Sequence, residues 1–192
     1  AKGVNHSLRR TSRIPSRKAL AAATRDLFRG SIAAALPYFE EKMPETGPEH
    51  ADQDSLVLIG DGTMMADEIA DMVSRTPLFA DLDKQDIHDL ASYLLLYRAK
   101  KGTVILREGE LGDYMLLVIH GNVDVYKSDK VHKQKRIDTV SPGMTVGEMA
   151  MVDGEPRFAT CVATDPVTLA CLSREGLVRI IDEKPRLGSK IL

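Results

Sequence analysis

From Gly102 onward, apolar residues stop recurring at helical spacing and begin to alternate, in short runs cut by turn residues. The runs are Thr103–Leu106, Tyr114–Ile119, Val123–Tyr126, Arg136–Val140, Ala159–Ala163 and Val167–Leu172. Between them stand Gly109, Gly112, His120-Gly121-Asn122, Ser141-Pro142-Gly143 and Asp165-Pro166. Gly109 and Gly121 sit where tight turns between strands call for a positive φ. Short strands with a turn signal roughly every eight to twelve residues predict a sandwich or a jelly-roll barrel.

Helical segments flank this block, so the expected class is α+β: a jelly-roll β-roll (a double-stranded β-helix) between N- and C-terminal helices. Lys18–Leu36 places Leu20, Leu27, Phe28, Ile32 and Ala35 near one face and stops at Pro37. Such a helix is marginal alone and needs a surface to pack against. Pro37–Asp54, with Pro44, Gly47, Pro48 and several acids, reads as a linker. Leu56–Ile59 is compatible with a short strand or an apolar docking segment. Thr63 is expected to cap a helix whose Met65, Ile69, Met72 and Val73 face inward. Pro77-Leu78-Phe79 opens a second helical stretch, with Asp83 as N-cap, Asp86 at its third position, and Ile87, Leu90 and Leu94 buried. After the strands, Arg174–Glu183 predicts one helix, Lys184-Pro185 a break, and Arg186–Leu192 the opening of another. The expected division is residues 1–60 as basic arm, helical extension and linker, and residues 61–192 as the folded domain.

At 192 residues the chain suits one ordinary domain plus an appendage. A net charge of −2 argues against nucleic acid as an obligatory partner. Locally the first eighteen residues carry Lys2, Arg9, Arg10, Arg13, Arg17 and Lys18 and no acid, the composition of a disordered basic arm. Arg9-Arg10-Thr11-Ser12 matches a basophilic kinase site, a pattern that chance often produces in basic tails. Two cysteines make no disulfide framework. No apolar run reaches the roughly 18–20 residues of a membrane span. Arg25, Asp26 and Arg29 interrupt the one stretch that resembles a signal peptide. The expectation is a soluble cytoplasmic protein without a membrane partner.

The segment richest in chemistry is Gly147-Glu148-Met149-Ala150-Met151, followed by Pro156-Arg157-Phe158-Ala159-Thr160. Glu148 and Arg157 stand nine positions apart across Asp153-Gly154-Glu155-Pro156. A path of turn, brief helix, turn and strand brings them to one small cavity. Arg157 offers a planar fork for a phosphate, Glu148 an acceptor for sugar hydroxyls, and a helix start adds free backbone amides. The plainer alternative is a surface ion pair worth ~0–1 kcal/mol. No nucleophile–base–orienter set and no Walker-type loop accompanies them, so no enzymatic activity is expected. His88 has no second ligand at metal spacing, and no metal is expected. Lys127, Lys130, Lys133, Lys135 and Arg136 read as a solvated basic hairpin tip, and Cys161 and Cys171 as reduced, packed thiols.

Val146–Thr160 resembles the phosphate-binding cassette of the cyclic nucleotide-binding domain family, which includes the bacterial catabolite activator and the regulatory subunits of cyclic-AMP-dependent protein kinase. Arg107-Glu108-Gly109-Glu110, Asp113, Tyr114–Ile119 and Gly121-Asn122-Val123 resemble the family's first β-roll signature, and Thr76–Lys101 its preceding helical motif. The likeness covers about Thr76–Leu192. It implies that Arg157 pairs with a cyclic phosphate and Glu148 with the ribose 2′-hydroxyl, while Gly147, Met149, Ala150 and Phe158 complete the cradle with backbone groups. Val146 replaces the usual aromatic residue and Phe158 a small one. Members that prefer cyclic GMP often carry threonine after the arginine, so Phe158 favours cyclic AMP over cyclic GMP. The Phe158 ring is compatible with narrowing the pocket, packing away from it, or forming an apolar wall. Only Arg186–Leu192 remains of the long helix that usually follows the roll in this family, with no room for a helix-turn-helix after it, so the expectation is a sensor without its own DNA-binding domain, with a second copy or an effector protein contacting the flanking helices. Two alternatives stay open: a regulator whose helix-turn-helix is missing from the chain, and a degenerate roll acting as interaction scaffold.

Overall fold

A computed structural model describes residues 56–129 and 133–191. The expected arm, the Lys18–Leu36 helix and the Pro37–Asp54 linker lie outside the described residues. The chain opens with β1 (Leu56–Asp61), a 3-10 turn, α1 (Ala66–Arg75), a second 3-10 turn at Pro77–Phe79, and α2 (Lys84–Ala91). The roll comprises β2 (Leu95–Ala99), β3 (Val104–Leu106), β4 (Tyr114–His120), β5 (Val123–Ser128), β6 (Gln134–Val140) and β7 (Thr145–Val146). It continues through α3 (Glu148–Asp153), β8 (Thr160–Ala163) and β9 (Val167–Ser173), and closes with α4 (Arg174–Glu183) and α5 (Pro185–Ile191).

The strands form two antiparallel sheets, in the orders β1-β2-β9-β4-β7 and β3-β8-β5-β6. The five-stranded sheet is covered on both faces, which explains why β4 is buried from Tyr114 to Ile119. With side chains alternating across the pleat, Met115, Leu117 and Ile119 enter the core shared with the helices. Tyr114, Leu116 and Val118 enter the core between the sheets. Strand β9 divides in the same way, Ala170 and Leu172 facing the helices and Leu169 and Cys171 the roll interior. The α+β β-roll is therefore the observed architecture.

Local chemistry accounts for the flanking elements, with three departures from expectation. The Asp83 side chain accepts from the backbone of Gln85 and Asp86 while Asp86 returns the bond to Asp83, a complete capping box. Thr63 is not the cap of α1: the Asp61 side chain takes that role for the preceding 3-10 turn, and the Thr63 amide and hydroxyl donate to it. Leu95–Ala99 is a strand rather than part of a helical motif, pairing with β1 on one side and β9 on the other. Leu94-Leu95-Leu96 continues the apolar pattern of α2 and carries no period by which to tell strand from helix. Leu56–Ile59 resolves as a strand, so residues 56–60, grouped with the linker on sequence, are hydrogen-bonded into the sheet edge. Finally, β8 and β9 are neighbours in sequence but lie in different sheets, and Cys161 and Cys171, in no disulfide, are buried in the interior between them.

Candidate functional site

The segment between β7 and β8 forms the site. Gly147 precedes α3 at φ 88°, a left-handed conformation that glycine adopts without cost, and Gly154 ends the helix at φ 71°. The chain then turns into an extended link in which Arg157 is held by its own backbone. The Arg157 amide donates to the Glu110 carbonyl at 2.7 Å, and the Gly109 amide donates to the Arg157 carbonyl at 2.9 Å. The loop between β3 and β4 thus fixes where the arginine leaves the main chain.

Its side chain turns inward and is only 4% exposed. Nη1 donates to the Gly147 carbonyl at 2.9 Å, bringing Arg157 against the residue that starts the Glu148 helix. The guanidinium carbon lies 4.4 Å from the centre of the Tyr114 ring. Nη2 is buried and has no hydrogen-bond partner. None of the ion pairs among the described residues involves Arg157. A buried guanidinium with one donor unmatched and no carboxylate beside it fits an anion, because a buried cation otherwise carries an uncompensated desolvation cost. Gly112 and Gly147 leave room for it: a Cβ at Gly112 would come within 2.6 Å of Nε, and one at Gly147 within 2.5 Å of Nη1.

Glu148 is half-buried at the first position of α3 and accepts a hydrogen bond from the Thr145 hydroxyl. Ala150 is buried beneath the helix, whereas Met149 is 40% exposed. Phe158 is 51% exposed; the Lys127 ammonium lies 4.3 Å from its ring centre and donates to its carbonyl at 2.6 Å. The ring thus lies at the surface against Lys127. Lys127 also pairs with Glu108 at 2.7 Å, so it braces the loop behind Arg157 instead of standing solvated at the hairpin tip. Behind the site, Arg174 donates through Nε to the Met151 carbonyl at 2.8 Å and through Nη2 to the Ala150 carbonyl at 3.2 Å, tying α3 to the start of α4. Burial pushes the Cys171 thiol up to about 12, with Arg157 pulling the other way.

The arrangement brings Arg157 against Gly147, next to Glu148, and it also includes Tyr114, Gly112, Thr145 and Arg174, which carry no signal of their own in the sequence. In the sequence Tyr114 is the first residue of an apolar strand, and only the register shows which face it takes. A separate concavity of about 560 Å³, lined by Val104, Glu108, Ser128, Thr160 and Val162 among others, lies on the four-stranded sheet and does not include Arg157 or Glu148. Among the described residues no cluster of three or more His, Cys, Asp or Glu side chains could hold a metal. No helix among them is long and apolar enough to cross a membrane.

The profile of the cyclic nucleotide-binding domain matches residues 97–184. A crystallised cyclic nucleotide-binding domain from Methylobacillus flagellatus superposes with a TM-score of 0.71 at 34% identity, over 78% of this chain and 84% of that one. The catabolite activator protein of Thermus thermophilus superposes at 0.56 with 27% identity, over 60% of this chain and 55% of that one. The cAMP-dependent protein kinase regulatory subunit of Blastocladiella emersonii is 32% identical over 104 residues, 54% of this chain and 26% of that protein. The chain therefore spans about a quarter of the length of that subunit.

Proposed function

The chain belongs to the cyclic nucleotide-binding domain family, and from that premise we propose that it is a regulatory module that binds a cyclic nucleotide, cyclic AMP in preference to cyclic GMP. The observation that carries this is the buried Arg157 guanidinium, whose Nη2 has no partner. In this reading Arg157 receives the cyclic phosphate and Glu148, oriented by the Thr145 hydroxyl, accepts from the ribose 2′-hydroxyl. Backbone groups of Gly147, Met149, Ala150 and Phe158 complete the cradle. Phe158 offers no hydroxyl to a guanine, which favours adenine. Because its ring lies at the surface against Lys127, it does not support a blocked, non-binding roll.

The signal is a population shift. Ligand drawn onto Arg157 and Glu148 repositions α3, and Arg174, bonded to the Ala150 and Met151 carbonyls, passes the displacement to α4. A second copy or an effector protein then reads α4 and α5. The 2′-hydroxyl provides the test of the ribose role. The intact chain should bind 2′-deoxy-cyclic AMP about tenfold more weakly than cyclic AMP, the worth of one charge-assisted hydrogen bond. Glu148→Ala should bind the two equally; equal affinities in the intact chain would refute the role given to Glu148.

A further inference from the structure

We propose that Tyr114 is a positioning residue for the phosphate-binding arginine, holding the guanidinium over its ring face where a carboxylate would otherwise have to pair with it. The assignment rests on the nucleotide reading above and adds to it the group that keeps Arg157 ready.

An arginine side chain has several rotatable bonds, and fixing it costs entropy that must be met before the ligand arrives or at the moment of binding. A carboxylate partner fixes an arginine well but neutralises it, and an incoming phosphate must then compete with that carboxylate. An aromatic face attracts the cation through its quadrupole while leaving every N–H in the guanidinium plane free to donate. Here the ring centre is 4.4 Å from the guanidinium carbon. In-plane Nη1 is on the Gly147 carbonyl, and in-plane Nη2 is unpartnered. Tyr114 is itself immobilised: it is buried at the start of β4, opposite Ser173 in β9, among the residues of the inter-sheet core. The adjacent Asp113 carbonyl accepts the Arg174 amide at 2.7 Å, so the strand end that carries the ring is also pinned to the start of α4. Ring, Gly112 backbone and Gly147 backbone together confine the guanidinium.

The test is a double-mutant cycle read by calorimetric and NMR titration with cyclic AMP. Tyr114→Phe, which keeps the ring face, should bind within about threefold of the intact chain; Tyr114→Leu should bind about tenfold more weakly. In an Arg157→Ala background, Tyr114→Leu should have no further effect, an outcome that a merely structural tyrosine would not produce. Tyr114→Leu with unchanged affinity, or with the same loss in both backgrounds, overturns the assignment while leaving the nucleotide reading intact. Failure of the intact chain to bind any cyclic nucleotide overturns both. Should Tyr114→Leu not fold, the intact chain supplies the measurement: the Arg157 Nε–H proton should resonate upfield through the ring current of Tyr114. A resonance at the ordinary arginine position would contradict the stacking.

Discussion

Gly112 and Gly147 decide where the Arg157 guanidinium lies, and neither residue touches a ligand through a side chain of its own. A methyl group at Gly112 would come within 2.6 Å of Nε, so the arginine and not the backbone must move. Gly112→Ala should therefore weaken cyclic AMP binding by about tenfold or more, the worth of one charge-assisted hydrogen bond, with the far-ultraviolet circular dichroism of the intact chain retained. Calorimetric titration of the variant checks this, and unchanged affinity would mean that the arginine is not confined as described. At this scale the sequence was readable where chemistry and spacing coincide, as at Glu148 and Arg157. It was silent where a residue's role depends on the face it occupies. Tyr114 belongs to an alternating run in which every position is buried, so nothing in the pattern separated the ring beneath the arginine from ordinary core.

Elements meet the site through a few buried polar links. The Thr76 hydroxyl, at the end of α1, lies 2.7 Å from the Gly143 carbonyl and 2.9 Å from the Met72 carbonyl, its one proton shared between the two acceptors. Gly143 lies in the turn before β7, so this bond joins the helical layer to the strand that leads into α3. Thr76→Val removes the donor and strands a buried carbonyl; it should destabilise the fold by about 1–2 kcal/mol in urea unfolding. A loss within error would show that the Gly143 carbonyl finds another donor. Strands β3 to β6, β8 and β9, their order in sequence and the brief helix between the two halves of the site were legible in alternation and turn residues, whereas the two-residue β7 was not. Strand β2 was not, because Leu94-Leu95-Leu96 continues the apolar pattern of α2 without a period of its own. The pairing of β1 with β2 was equally hidden, since register is set between strands and not within one.

Across the whole molecule, several carboxylates are held below their ordinary range. The Thr139 hydroxyl and then Arg136 do this for Asp124, the Asn122 amide and side chain for Asp165, and the backbone of Asp86 for Asp83. A carboxylate whose pKa is lower folded than unfolded adds stability at pH values above its unfolded pKa, and that stability disappears as pH falls through the folded value. The fold should therefore hold a level stability from neutrality down to about pH 5 and lose it progressively below about pH 4. Asp124→Asn should flatten that acid limb in pH-dependent melting; an unchanged acid limb would remove Asp124 from the account. Ligand binding acts on the same equilibrium, and Arg157 is where it acts most directly. The decisive measurement is calorimetric titration of the intact chain and of Arg157→Ala with cyclic AMP and cyclic GMP. Saturable binding of cyclic AMP, tighter than cyclic GMP and weakened by about 2–5 kcal/mol in the variant, is the predicted result. Equal affinity in Arg157→Ala, or no binding of either nucleotide to the intact chain, would contradict it.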